Sequence, residues 1–169
     1  MNAFCTACRY LLTKVCGYKC ITAHNGYVRQ HTSQSRNEKK ENREIALYLA
    51  NKYGYEIDLI PKVDEVAGMT NADSYNHTLG YKQEYKVISV GTFNAIDQAV
   101  RKGAKQAESL VIKILPEMPL KLIARAFAKR LLRTPSVSEI RLIIGDKDAL
   151  YSRQCILSPV YKIQQGDFK

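Results

Sequence analysis

No apolar run in this chain approaches the roughly 20 residues that a spanning helix needs, so no membrane span is expected. The apolar patch near the start, Tyr10-Leu11-Leu12, is broken by Thr13 and Lys14 and is too short for a secretory signal. Histidine occurs three times, and His77 is the only one beyond residue 36, which argues against acid-base chemistry run on paired imidazoles. Cysteine is scarce after Cys20, where only Cys155 remains, so the body of the chain has no disulfide framework. Acid is the clearest shortage. Sixteen Asp and Glu face 26 Lys and Arg, a formal charge of +10 in 169 residues. In the first forty residues Glu38 stands alone against Arg9, Lys14, Lys19, Arg29, Arg36, Lys39 and Lys40. A second group, Lys121, Arg125, Lys129, Arg130 and Arg133, recurs at helical spacing. A clustered positive surface most often serves a polyanion, nucleic acid before an acidic membrane.

Composition is otherwise that of a globular protein, long enough to bury a core. Residues 1–36 are expected to form a cysteine-bearing basic segment and linker, and residues 37–169 an α/β domain. Cys5, Cys8, Cys16 and Cys20 form a C-x2-C pair and a C-x3-C pair, which without an export signal reads as a zinc knuckle sooner than as disulfides. His24 and His31 are close enough to replace one thiolate, and a reduced, metal-free tail is the simpler alternative. Residues 27–40 are polar and read as a linker or loosely ordered arm.

Periodicity sets the elements of the larger part. Ile45, Ala46, Leu49 and Tyr53 form one apolar stripe of a helix stopped by Gly54. Residues 55–60 alternate as a strand ending at Pro61. Residues 73–76 and 81–90 read as a hairpin, with Asn76 and Gly80 in its turn. Thr92 caps a second helix through Ala107, residues 110–115 form an interior strand, 120–133 a third helix and 137–144 a last strand. The expected order is α-β-β-β-α-β-α-β, a mixed β-sheet flanked by helices.

Alternate side chains of a strand share a face, so Glu84 and Lys86 point the same way. A hairpin between residues 76 and 81 would carry Asp73 back toward Glu84, converging two carboxylates and an ammonium. Such a trio can hold a divalent cation through hard oxygens and keep a lysine beside it, which is what metal-assisted phosphodiester hydrolysis needs. Alternating charges on a solvated strand face are the structural alternative.

Glu41-Asn42 with Ala46 in a first helix, Asn71-Ala72-Asp73, Glu84-Tyr85-Lys86, and Lys105-Gln106-Ala107 in a second helix together resemble the core of the PD-(D/E)XK nuclease superfamily. The resemblance covers roughly residues 40–145 and is closest to the nuclease domains ending contact-dependent growth inhibition toxins, with related domains in phage and mobile-element proteins. The proline of the superfamily name is absent, since Ala72 precedes Asp73.

The resemblance implies that Asp73 and Glu84 ligate Mg²⁺, or Mn²⁺ or Zn²⁺ in its place, and that Lys86 orients or deprotonates the attacking water. Glu41, favoured over Glu44, would complete the site, and Gln106 would face the ion or the scissile phosphate. Helix-start carboxylates also serve the macrodipole, which is the simpler role for Glu41. Arg101, Lys102 and Lys105 are candidate phosphate contacts. The implied activity is a metal-dependent endonuclease on tRNA or DNA that acts in a cytoplasm. It would be delivered from another cell or encoded by a mobile element, and opposed by an acidic immunity protein. A metal-independent ribonuclease, or a non-catalytic nucleic-acid-binding protein with an N-terminal zinc site, are the alternatives. The first would survive EDTA, and the second would bind without turnover.

Overall fold

The computed structural model of the chain describes residues 17–32, 40–61 and 71–169. Among the described residues, eight strands and four α-helices make an α/β fold with mixed sheet, and the chain divides into two compact units, Met1–Lys82 and Gln83–Lys169.

In the first unit, β1 (Tyr18–Thr22) and β2 (Tyr27–His31) form an antiparallel ladder that pairs Cys20 with Arg29. Helix α1 (Lys40–Tyr53) then leads to β3 (Glu56–Leu59), which lies parallel to β2 with Val28 opposite Ile57. β4 (Ser74–Asn76) closes this unit antiparallel to β3. The register sorts the side chains. Val28, Ile57, Leu59, Ser74 and Asn76 are buried on one face, while Arg29, Asp58 and Tyr75 form a cross-strand row on the other. Helix α1 contributes Ile45, Ala46, Leu49 and Ala50 to the buried side and makes its contacts with β2 and β3. It ends at Gly54, whose φ of +70° would strain any residue with a Cβ.

Residues 27–31, read from composition as linker, are therefore a strand. Their burial comes from pairing on both sides, with β1 and β3, which local polarity does not reveal. Cys20 lies in β1 as a free, half-buried thiol, and Cys5, Cys8 and Cys16 lie outside the described residues.

The second unit is built on β5 (Tyr81–Ile88), whose first two residues belong to the preceding unit. Helix α2 (Phe93–Gly103) crosses to β6 (Ser109–Ile114), and α3 (Leu120–Leu131) crosses to β7 (Glu139–Ile144). β5, β6 and β7 are parallel, as helical crossovers require. A two-residue turn, with Gly145 at φ +63°, returns the chain into antiparallel β8 (Lys147–Ser152). A short α4 (Arg153–Ile156) and a 3₁₀ turn (Gln165–Asp167) follow. The strand ending at Ile144 was expected to be the last element, and the chain beyond it instead supplies a further strand and a helix.

Ile88, Leu110, Ile112, Ile114, Ile140 and Leu142 line one face of this sheet, and Ile96, Val100, Ile123 and Phe127 of α2 and α3 pack over them. At about 25 cal/mol per Å² of apolar surface, this cluster is the main stabilising element of the second unit. No helix among the described residues is long and apolar enough to cross a membrane.

Candidate active site

Glu84 occupies an unusual place for a carboxylate. The ladder sets it opposite Leu110 and sets Lys86 opposite Ile112, both on the apolar face covered by α2 and α3. Its exposure is 2%, so its charge has left bulk water and requires partners. Lys86 Nζ donates to Glu84 Oε1 along the strand, as the two-residue period dictates. The ammonium end remains reachable, because the Lys86 side chain is 26% exposed.

Gln106 reaches the same carboxylate by a different route. Helix α2 ends in a tight turn, where Gln106 N donates to Gly103 O at 2.8 Å. With its NH2 turned inward, the Gln106 amide donates to Glu84, at 2.9 Å from Oε2. With its carbonyl turned inward, two oxygens would face each other without a proton between them, so the NH2-inward orientation is the one that bonds.

Gly103 makes this closeness feasible. A Cβ there would stand 3.0 Å from Leu110 Cδ2 and 3.5 Å from Glu84 Cγ. Neither the Gly103 contact nor the turn after α2 has a periodic signature. A glycine in the last turn of an amphipathic helix was the only available sign.

Asp73 lies in the first unit, just ahead of β4. Its Oδ1 accepts from Asn42 Nδ2 at 2.7 Å, and its carbonyl accepts from Ile60 N at 3.0 Å. The contact from α1 is thus made by Asn42, while Glu41 is exposed in the helix's first turn, as is Glu44 nearby. Arg101 and Lys102 are exposed in the last turn of α2, with Arg101 Nε donating to Gln98 Oε1 at 2.9 Å. Lys105 is exposed in the turn that presents Gln106. Among the described residues no group of three or more His, Cys, Asp or Glu is placed to hold a metal. The oxygen donors expected for an ion are Asp73 in one unit and Glu84 with Gln106 in the other.

A second polar cluster, on the face of the first unit's strands that bears Arg29, Asp58 and Tyr75, has no motif in the sequence. Arg29 forks onto Asp58, with Nε to Oδ1 at 2.5 Å and Nη2 to Oδ2 at 2.6 Å. His77 Nε2 lies 2.8 Å from Asp58 Oδ2 and 3.1 Å from Arg29 Nη2. Tyr75 packs edge-on to the His77 ring, and Arg29 lies over Tyr27, 5.1 Å from its centroid. Burial works against the Arg29 charge, but the hydrogen bonds and charge of Asp58 outweigh it and raise its pKa. Burial also pushes the Tyr27 phenol up to about 12. His77 stands in the turn that follows β4, and its ring is committed to Asp58.

Comparison with protein-family models, with curated proteins and with solved structures finds no match to this chain.

Proposed function

We propose that the protein is a metal-dependent nuclease that hydrolyses phosphodiester bonds in tRNA or DNA. The observation that carries this reading is the buried Glu84 carboxylate on an apolar sheet face, held between Lys86 and Gln106. Folding alone favours an apolar residue at such a position, since a buried ion pair rarely outperforms packed hydrophobes. Strained or costly placements cluster where chemistry is done.

Hard oxygen donors suit Mg²⁺ or Mn²⁺, and the Asp73 and Glu84 carboxylates would supply them. A bound divalent ion would polarise the phosphate and lower the pKa of coordinated water. Lys86 orients the attacking water and offsets the negative charge that grows on the phosphoryl oxygens. Gln106 fixes the Glu84 carboxylate, and Asn42 fixes the Asp73 carboxylate. Arg101, Lys102 and Lys105 take neighbouring phosphates. In this reading a resident inhibitor would be an acidic protein, matched to the +10 charge. The cellular setting is a cytoplasm containing the nucleic acid.

A metal-independent ribonuclease is the second reading. The Arg29–Asp58–His77 cluster favours it, because an imidazole beside a carboxylate and a guanidinium can act as acid or base. One experiment separates the two. Purified protein is incubated with plasmid DNA and with total tRNA in Mg²⁺, Mn²⁺, Zn²⁺ or excess EDTA. The nuclease reading expects cleavage with a divalent ion, none in EDTA, and loss of activity in Asp73→Ala. Cleavage that persists in EDTA and disappears in His77→Ala would transfer the activity to the second cluster.

A further inference from the structure

From Met118 to Ser138 the chain has five cations and no carboxylate. Arg130 alone among them is neutralised inside the fold, its guanidinium forked onto Asp97, with Nε to Oδ1 at 2.8 Å. Lys121, Arg125, Lys129 and Arg133 are all exposed. The first three recur every fourth residue of α3, so they form one edge of the helix. Helical rise sets them about 6 Å apart and about 12 Å end to end.

Concave surface lies on both sides of that edge. One groove, of about 490 Å³, is floored by Phe93, Pro119 and Leu122. The other, of about 730 Å³, runs along Ala124, Ala128, Tyr161 and Ile163, with Lys162 contributing a further cation. Lys121 and Arg125 line both grooves, so they stand on the ridge dividing them, and neither groove has a carboxylate in its lining.

Helix stability does not account for this arrangement. Lys121, in the first turn, opposes the macrodipole, and like charges four residues apart repel. A row of like charges four residues apart, bordered by grooves whose linings hold no carboxylate, suits an extended anion that bears regularly spaced charges. Its 12 Å matches the axial rise of about three to four phosphates on one strand, at about 3.4 Å each.

We propose that this edge of α3 is a docking ridge for the phosphate backbone of nucleic acid. The proposal deepens the nuclease reading by giving the same polymer a binding surface away from the Glu84 cluster, and it rests on that reading for the identity of the polyanion.

Binding is measured in EDTA, where metal-dependent cleavage is silent, using a short fluorescent single-stranded DNA, a hairpin RNA and phosphatidylserine vesicles across a salt series. The triple variant Lys121→Gln/Arg125→Gln/Lys129→Gln is compared with Lys19→Gln/Lys82→Gln/Lys147→Gln, three exposed cations elsewhere whose loss changes net charge equally. Thermal melts confirm that both remain folded. The ridge variant is expected to bind nucleic acid at least about tenfold more weakly near 0.1 M salt, with its salt slope reduced by about two to three. The control should keep most of both.

Equal losses in the two triples, an unchanged slope, absence of nucleic-acid binding by the wild type, or binding to vesicles alone would each overturn the ridge. Tight, ridge-dependent binding without cleavage in any metal would leave the ridge standing and remove the nuclease reading. Cleavage with an unaffected ridge variant would do the reverse.

Discussion

Glu84 has to satisfy two demands that conflict. On a sheet face with Leu110 and Ile112 it would be most stable as an apolar residue, yet the proposed metal-assisted chemistry needs its charge. Lys86 and Gln106 reconcile the two by supplying donors at the point where solvent is excluded. Removing one member of a buried pair strands the other, so Lys86→Ala should lose about 1–3 kcal/mol of stability, moderated because water reaches the lysine. Glu84→Gln should change stability by less than about 1 kcal/mol, because the neutral amide can still bond to Gln106 while shedding the desolvation cost. Urea unfolding of the two variants measures both; a large loss in Glu84→Gln would mean that the carboxylate is there for the fold. The face shared by Glu84 and Lys86 was readable from period two alone. That Asn42, rather than Glu41, touches Asp73 was not, because one step of 100° around a helix separates the two and packing decides which one faces inward.

At the scale of elements, three contacts hold the helices of the second unit in place, and each can be cut separately. The Arg130 hydrogen bonds and charge hold the Asp97 carboxyl below its ordinary range, and they tie α2 to α3. A carboxyl depressed in the folded state adds stability above its unfolded pKa of 3.8, and that stability disappears as pH falls below it. Asp97→Asn should therefore weaken the protein at neutral pH and flatten its acid denaturation curve below about pH 4. The Arg153 guanidinium closes the end of α3, donating to the carbonyls of Leu131 and Thr134 at 2.8 Å each and to that of Val137 at 3.3 Å. Arg153→Ala leaves these carbonyls short of a donor and should cost about 1–3 kcal/mol, read from the shift in the urea midpoint.

Gly103→Ala presses a methyl on Leu110 and should cost about 1–3 kcal/mol, with reduced activity because Gln106 follows in the same turn. The long apolar periods of α1, α2, α3 and β6 announced these elements in the sequence. β8 did not announce itself, because Asp148, at 1% exposure, is buried against Arg141 and breaks the alternation that marks a strand. β2 stayed hidden for a related reason. Arg29 and His31 make it look like surface, although the ladder on each side fixes it as strand.

Across the whole molecule, the +10 charge falls in separate groups. Arg101 and Lys102 end α2 with Lys105 beside Gln106, the cations of α3 form an edge of their own, and the buried acids are matched by bonded partners. In the proposed reading the Glu84 carboxylate serves the chemistry while the cations of α3 hold the polymer. The most direct measurement is the single-turnover cleavage rate of a tRNA or DNA substrate by wild type, Glu84→Gln and Lys86→Ala across a Mg²⁺ titration, with substrate binding followed in parallel. Both variants should bind substrate normally and cleave at least about 10²- to 10³-fold more slowly, the loss expected when a charge-stabilising group is removed. Cleavage by Lys86→Ala at the wild-type rate, or wild-type cleavage indifferent to Mg²⁺, would contradict the central claim.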